Sequence, residues 1–194
     1  MNNNINEIYN FVFKGLLTEE SLDKAGRRIS KTNDLYEKDI YKSLSIDSLD
    51  NEHVLDGQKM AIVYTAIAAL ENSVRELISG ILLENFKEEW WIKGVSEKIR
   101  TRAEQRMEEE KKVKWHTQRG DKPINYTTLS DLVTIIRNNW NLFEAHIQSI
   151  EWAANVFDAI ERSRNVIMHS GILSKEDIER LGIYIRDWIK QVGA

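Results

Sequence analysis

Between Met60 and Ile81 the apolar residues recur at steps of three and four without a miss: Met60, Val63, Ile67, Leu70, Val74, Leu77 and Ile81. An α-helix, at about 3.6 residues per turn, lines such positions on one face, and a strand cannot. The signal spans roughly Ser48 to Phe86 and predicts one long central helix. Tyr64, Ala68, Ile78 and Leu82 widen the stripe on one side. Glu71 and Arg75 fall on that same flank four residues apart, where a salt bridge at the edge of the core is their simplest role.

The rest of the chain carries the same rhythm. Residues 1–46 read as two or three short helices with narrow apolar faces: "INEIYNFVFKGLL", then "TEESLDKAGRRIS" opening on Thr18 as N-cap, then "NDLYEKDIYKSL" behind Asn33 or Asp34. These form an accessory region, and residues 47–194 form the main domain. "EEWWIKGVSEKIRTRAEQRMEEEKKVKW" has one thin apolar line, Val95, Ile99, Ala103 and Met107, and predicts a surface helix. "HTQRGDKPIN" holds the only proline and reads as a loop. Trp115, His116, Arg119 and Lys122 give that region an aromatic and basic character suited to RNA, although such runs are more often plain solvated loops. "TTLSDLVTIIRNNWNLFEAHI" predicts a helix with Leu129, Leu132, Val133 and Ile136 inward, ending near Asn138 or Asn139. Two more follow, over residues 148–169 and over "SKEDIERLGIYIRDWIKQV", the latter started by Ser174 with Asp177 three residues on. With no competing strand pattern the fold class is all-α, an up-and-down bundle of about four or five helices.

Composition narrows the function. The 194 residues carry a formal net charge of −4, so nucleic-acid binding has to be local. There is no cysteine, hence no thiolate nucleophile, disulfide framework or cysteine-based zinc site. His53, His116 and His146 lie in different segments without metal-ligand spacing, and no Gly-rich phosphate loop is present. The expectation is no cofactor. The N-terminus lacks a signal peptide's basic start and apolar run, and no apolar stretch suffices to span a bilayer, so the expected location is the cytoplasm.

The penultimate helix breaks its own pattern. Ile150, Ala153, Phe157 and Ile160 lead in register to Arg164 and Ile167, so a charge stands where the stripe asks for an apolar side chain. Asn165 and His169, four apart, continue a polar stripe through Glu151, Asn155, Asp158 and Arg162. Gly171 is the expected stop signal. Read blandly, Arg164 is neutralised by a carboxylate such as Glu71, and His169 favours the helix dipole.

"RNVIMHSG", placed here and followed by one last helix, resembles the HEPN superfamily (higher eukaryotes and prokaryotes nucleotide-binding). Its ribonuclease members carry an arginine, a short spacer and a histidine, commonly with Asn, Asp or His directly after the arginine. "ALENSVRELISGIL", "WW" and "YTTLSDLVTIIRNNWNLF" upstream are similar, in the same order, to the HEPN subtype fused to a PIN-type nuclease in RNA surveillance. The likeness covers residues 60–192.

The resemblance implies a metal-independent endoribonuclease, acting as a toxin or in antiviral defence, in which a ribose 2′-hydroxyl attacks the adjacent phosphate to leave a cyclic phosphate. It implies His169 as acid/base, Arg164 as phosphate clamp and Asn165 as orienting group. Arg162, Lys175, Arg119 and Lys122 become candidate RNA contacts, with Glu71 and Arg75 supporting Arg164. Arg164 and His169 differ by about 140° around an ideal helix, and the family's dimers imply a homodimer with a composite site. RNA, in single-stranded or loop regions, and a regulatory or antitoxin protein are the implied partners, with no membrane. Two rivals stand beside this: a non-catalytic HEPN dimerisation scaffold, and a plain helical interaction protein in which Arg164 pairs within its own chain.

Overall fold

The computed structural model describes residues 28–193 together with residues 14–15, 18 and 21–22; side chains in the first described helix are described from Tyr36 onward. The element order is α1 Arg28–Ser43, α2 Asn51–Phe86, α3 Trp90–Gly94, α4 Glu97–Lys111, α5 Leu129–Asn138, α6 Trp140–Phe143, α7 Ile150–Met168 and α8 Lys175–Val192, with short 3-10 turns between. Among the described residues there is no strand, and the fold is all-α. The chain divides into two compact units, Met1–Leu55 and Asp56–Ala194, so the division falls inside the first turns of α2.

In the first unit, the helix expected to begin behind Asn33 or Asp34 begins at Arg28 instead. Asn and Asp cost a helix interior less than about 0.7 kcal/mol each, too little to force a new start. Thr18 is helical, and its hydroxyl donates to the Lys14 carbonyl at 2.8 Å, so it does not cap a helix start. The remaining expected helices before Arg28 lie outside the described residues. Asp50 caps α2, its Oδ1 accepting from the Glu52 amide at 2.9 Å.

The second unit is built on α2. Met60, Val63, Ile67, Leu70, Val74, Ile78, Ile81 and Leu82 are buried, so the stripe faces the core with half of the widened flank, while Tyr64 and Ala68 of that flank line a cleft. α5 packs on α7 and α7 on α8. Leu129, Leu132, Val133, Ile135 and Ile136 meet Ala153, Val156, Phe157 and Ile160 within a single core cluster. Trp188 of α8 stacks on Trp152 at 5.6 Å between ring centroids and tilts against Phe157 at 4.8 Å. Such pairs contribute about 0.5–1.5 kcal/mol beyond area burial.

The segment after Phe86 is not one helix. Gly94 ends α3, Val95 and Ser96 are extended, and α4 starts afresh. A Cβ on Gly94 would lie 2.9 Å from a Leu82 methyl, so glycine permits close approach to α2. The freed Val95 carbonyl accepts from Arg100 Nε at 3.1 Å, and the Gly94 carbonyl from Asn139 Nδ2 at 2.8 Å. Val95, Ile99 and Ala103 are buried as their spacing predicts, while the charged face of α4 is exposed.

Candidate functional site

The polar stripe of α7 holds its register: Glu151, Asn155, Asp158, Arg162, Asn165 and His169 are all exposed. Arg164 sits off that stripe, on the side facing α2. Its Nε lies 3.2 Å from Glu71 Oε1, and the second carboxylate oxygen of Glu71 accepts from Arg75 Nη2 at 3.2 Å. One nearly buried carboxylate thus bridges two guanidinium groups, with side-chain exposures of 11% for Glu71, 14% for Arg75 and 37% for Arg164. Arg75 is fixed further by the Thr127 carbonyl and by Asn72 Oδ1, both at 3.4 Å, while its Nε is buried without a partner among the described residues.

These groups line an open cleft of about 740 Å³, in which Arg75, Arg106, Arg119 and Arg164 face the carboxylates of Glu71 and Glu161. Tyr64, Asn72 and Asn125 also line it. On an acidic chain this is a local excess of guanidinium groups, the type that meets phosphate bidentately.

A polar network holds the wall of the cleft opposite α7. Thr128 and Asp131 form a reciprocal capping box at the start of α5, and buried Asp131 also takes Arg102 Nη2 at 2.6 Å. Arg106 Nη1 donates to the Tyr126 carbonyl at 2.7 Å, and the Tyr126 hydroxyl donates to the Gly120 carbonyl at 3.0 Å. Arg119 pairs with Glu110 at 2.6 Å and lies 5.7 Å from the Tyr126 ring centre. Burial, then the Glu110 carboxylate, push the Tyr126 phenol above its ordinary value. Gly120 has φ 147°, and a Cβ there would collide with the Asn125 amide.

The other expected contacts separate. Lys122 lines a neighbouring cleft of about 400 Å³, where Glu76 and Asp121 offset it and Arg75. Arg162 lies outside the arginine-lined cleft, between α7 and α8, and pairs with Asp158 at 2.8 Å, which raises its own pKa. Lys175 is exposed, 3.7 Å from Glu179. Trp115 is 85% exposed, edge-on to His116.

His169 caps the C-terminus of α7, is exposed, and does not line Arg164's cleft. Within one chain, therefore, Arg164 and His169 present to different surfaces. The stop itself differs from expectation. Ser170, not Gly171, takes the left-handed conformation, at φ 60°. The Ser170 amide donates to the Ile167 carbonyl at 3.0 Å and the Gly171 amide to the Val166 carbonyl at 2.8 Å, the paired bonds of a Schellman motif. Glycine is needed one place later because a Cβ at 171 would lie 2.8 Å from the Val166 carbonyl oxygen.

Arg106, Asn125 and Asp131 escaped the reading of the sequence. The pattern Thr128-x-x-Asp131 was there to be seen as a capping box. Arg102 and Arg106, four apart on a helix of high charge, had no signal separating them from solvated neighbours. Among the described residues no group of three or more His, Cys, Asp or Glu side chains could hold a metal ion, and no helix is long and apolar enough to cross a membrane.

An all-α bundle whose penultimate helix ends on arginine, asparagine and histidine, with the arginine in a cleft, has the architecture of a HEPN domain. Residues 65–193, about two-thirds of the chain, match the family described as Swt1-like HEPN, and the chain belongs to that family. No curated protein and no solved structure matches it.

Proposed function

We propose that this protein is a metal-independent endoribonuclease whose active site is composed across a homodimer from Arg164, Asn165 and His169. The observation that carries the reading is the placement of Arg164: a guanidinium held by Glu71 at the wall of an open, arginine-lined cleft. Despite that pairing, 37% of the Arg164 side chain stays exposed to the cleft. The kinship to HEPN domains fused to PIN-type nucleases, and a role in defence or as a toxin, belong to the same proposal.

In the reaction, His169 of one protomer takes the proton of a ribose 2′-hydroxyl as O2′ bonds to the adjacent phosphorus. The P–O5′ bond breaks, the leaving oxygen takes a proton from solvent and His169 returns the one it holds to solvent, leaving a 2′,3′-cyclic phosphate and a 5′-hydroxyl. Arg164 offers two parallel N–H groups to the phosphorane oxygens, whose charge rises in the transition state. Asn165 orients the imidazole or the phosphate. The exposed positions of Val166 (40%), Met168 (56%) and Ile172 (57%) around these residues support a two-fold contact that would bring the two helix ends together.

The test is cleavage of total RNA in EDTA by the wild-type protein, His169→Ala and Arg164→Met. Loss of cyclic-phosphate ends in both variants, with folding intact, is expected. Cleavage unchanged in both would sink the proposal. The Arg164–Glu71 ion pair is the one expected of a plain helical interaction protein; in a chain of the HEPN family it favours a second reading, a non-catalytic HEPN scaffold. There, no variant cleaves, wild type included, and the pair serves only to dock α7 on α2.

A further inference from the structure

The cleft beside Arg164 is larger than one phosphate requires. Its far wall is formed by Arg106, Arg119 and Asn125, on and after α4, while Arg164 stands on the α7 side and Asn72 between them on α2. Glu71 is already shared by Arg75 and Arg164, which leaves Glu161 as the only other carboxylate in the lining. The chemistry of the far wall is therefore guanidinium and primary amide: cations for phosphate oxygens, amides for the donor and acceptor edges of an unpaired base. Tyr64, 37% exposed, adds an aromatic face. At about 740 Å³ the cleft accommodates a nucleotide unit and not a duplex.

Resting on the ribonuclease reading above, we infer that Arg119, with Asn72 and Asn125, forms a subsite for the nucleotide adjoining the one cleaved at Arg164. The wall's construction fits a binding role. Arg106 is immobilised by the Tyr126 carbonyl and builds the wall. Arg119, with 56% of its side chain exposed, lies over the Tyr126 ring and is ion-paired to Glu110, a carboxylate its guanidinium can exchange for a phosphate. Glu110, half-buried at 28% side-chain exposure, would keep the Arg119 backbone amide at 3.1 Å as its donor.

The experiment measures binding in a His169→Ala background, so that no cleavage intervenes. Fluorescence anisotropy compares single-stranded oligonucleotides differing by one nucleotide, and a duplex of the same sequence, over a salt series. The double variant with Arg119→Ala is set against one with Lys93→Ala, which removes an equal charge outside the cleft. Expected are tighter binding of the longer single strand, loss of that length advantage with Arg119→Ala alone, and a salt slope shallower by about 0.7, the value of one phosphate contact on a single strand. Circular dichroism of each variant confirms the fold. An undiminished length advantage in Arg119→Ala, an equal loss in Lys93→Ala, or tighter binding of the duplex would each overturn the subsite. The two proposals fail separately. Arg119-dependent binding without cleavage by the wild-type chain would remove the ribonuclease and leave an RNA-binding cleft. Cleavage dependent on His169 but indifferent to Arg119 would do the reverse.

Discussion

Glu71 is the residue on which Arg164 depends. With its two oxygens committed to different arginines, it sets the direction of the Arg164 guanidinium more firmly than a single surface ion pair could. Glu71→Gln keeps the shape and removes the charge. Expected is a fall in cleavage rate of about 10–100-fold, the scale on which small displacements of a catalytic group act, with the helical spectrum unchanged. Equal activity in the Gln variant would show that Arg164 is oriented by something else. Ser170 tells of strain at the other end of the site. A non-glycine residue at φ 60° costs about 1–2 kcal/mol, and glycine returns some of that as unfolded-state entropy. Ser170→Gly is therefore expected to stabilise the chain by about 1 kcal/mol, read as a higher melting temperature; a lower one would contradict the Schellman account of the helix end.

At the scale of elements, the loop from Val113 to Thr128 forms the far wall through hydrogen bonds, since few of its side chains are apolar and buried. Tyr126 is its anchor, fully buried and bonded to the Gly120 carbonyl. Tyr126→Phe leaves that carbonyl without its donor and should cost about 1 kcal/mol at neutral pH. The phenol's pKa is raised from 10.0 on folding, so the folded state holds the proton more tightly than the unfolded one. The resulting stability is full below pH 10 and is lost as pH climbs through the raised value. Denaturant titrations should show the gap between wild type and Tyr126→Phe narrowing above that pH. A gap that widens there would reverse the assignment.

The same elements mark how far sequence reasoning reaches. Apolar periodicity carried α2, α5, α7 and α8 because each buries one continuous face, and it placed Arg164 against the core side correctly. The break at Gly94–Ser96 was missed because its cause is tertiary, the approach of α3 to Leu82 and the Asn139 side chain that takes the Gly94 carbonyl. Of the site, Arg164, Glu71 and Arg75 were legible as charges in register with apolar positions. The gathering of Arg106 and Arg119 beside them depends on a fold-back of residues far apart in the chain, and no local pattern encodes it.

For the whole molecule, the separation of His169 from Arg164's cleft has a direct consequence. If each site takes its arginine from one chain and its histidine from the other, Arg164→Ala and His169→Ala chains are dead alone and complementary together. Random mixing puts both defects into one site of the mixed dimers and leaves the other intact. About a quarter of wild-type activity should return after denaturation and co-refolding. Complete inactivity of the mixture, with mixed dimers verified by mass, would place the whole site within one chain.

His169 sits just beyond the last residue of α7 as its C-cap, secured by the terminal hydrogen bonds of the helix, and helix ends open well before a bundle comes apart. Heat would unseat the imidazole while Trp152, Phe157 and Trp188 still hold the core together. If His169 carries the proposed cleavage, a chain built this way falls silent before it melts, and cools back into action without having to refold.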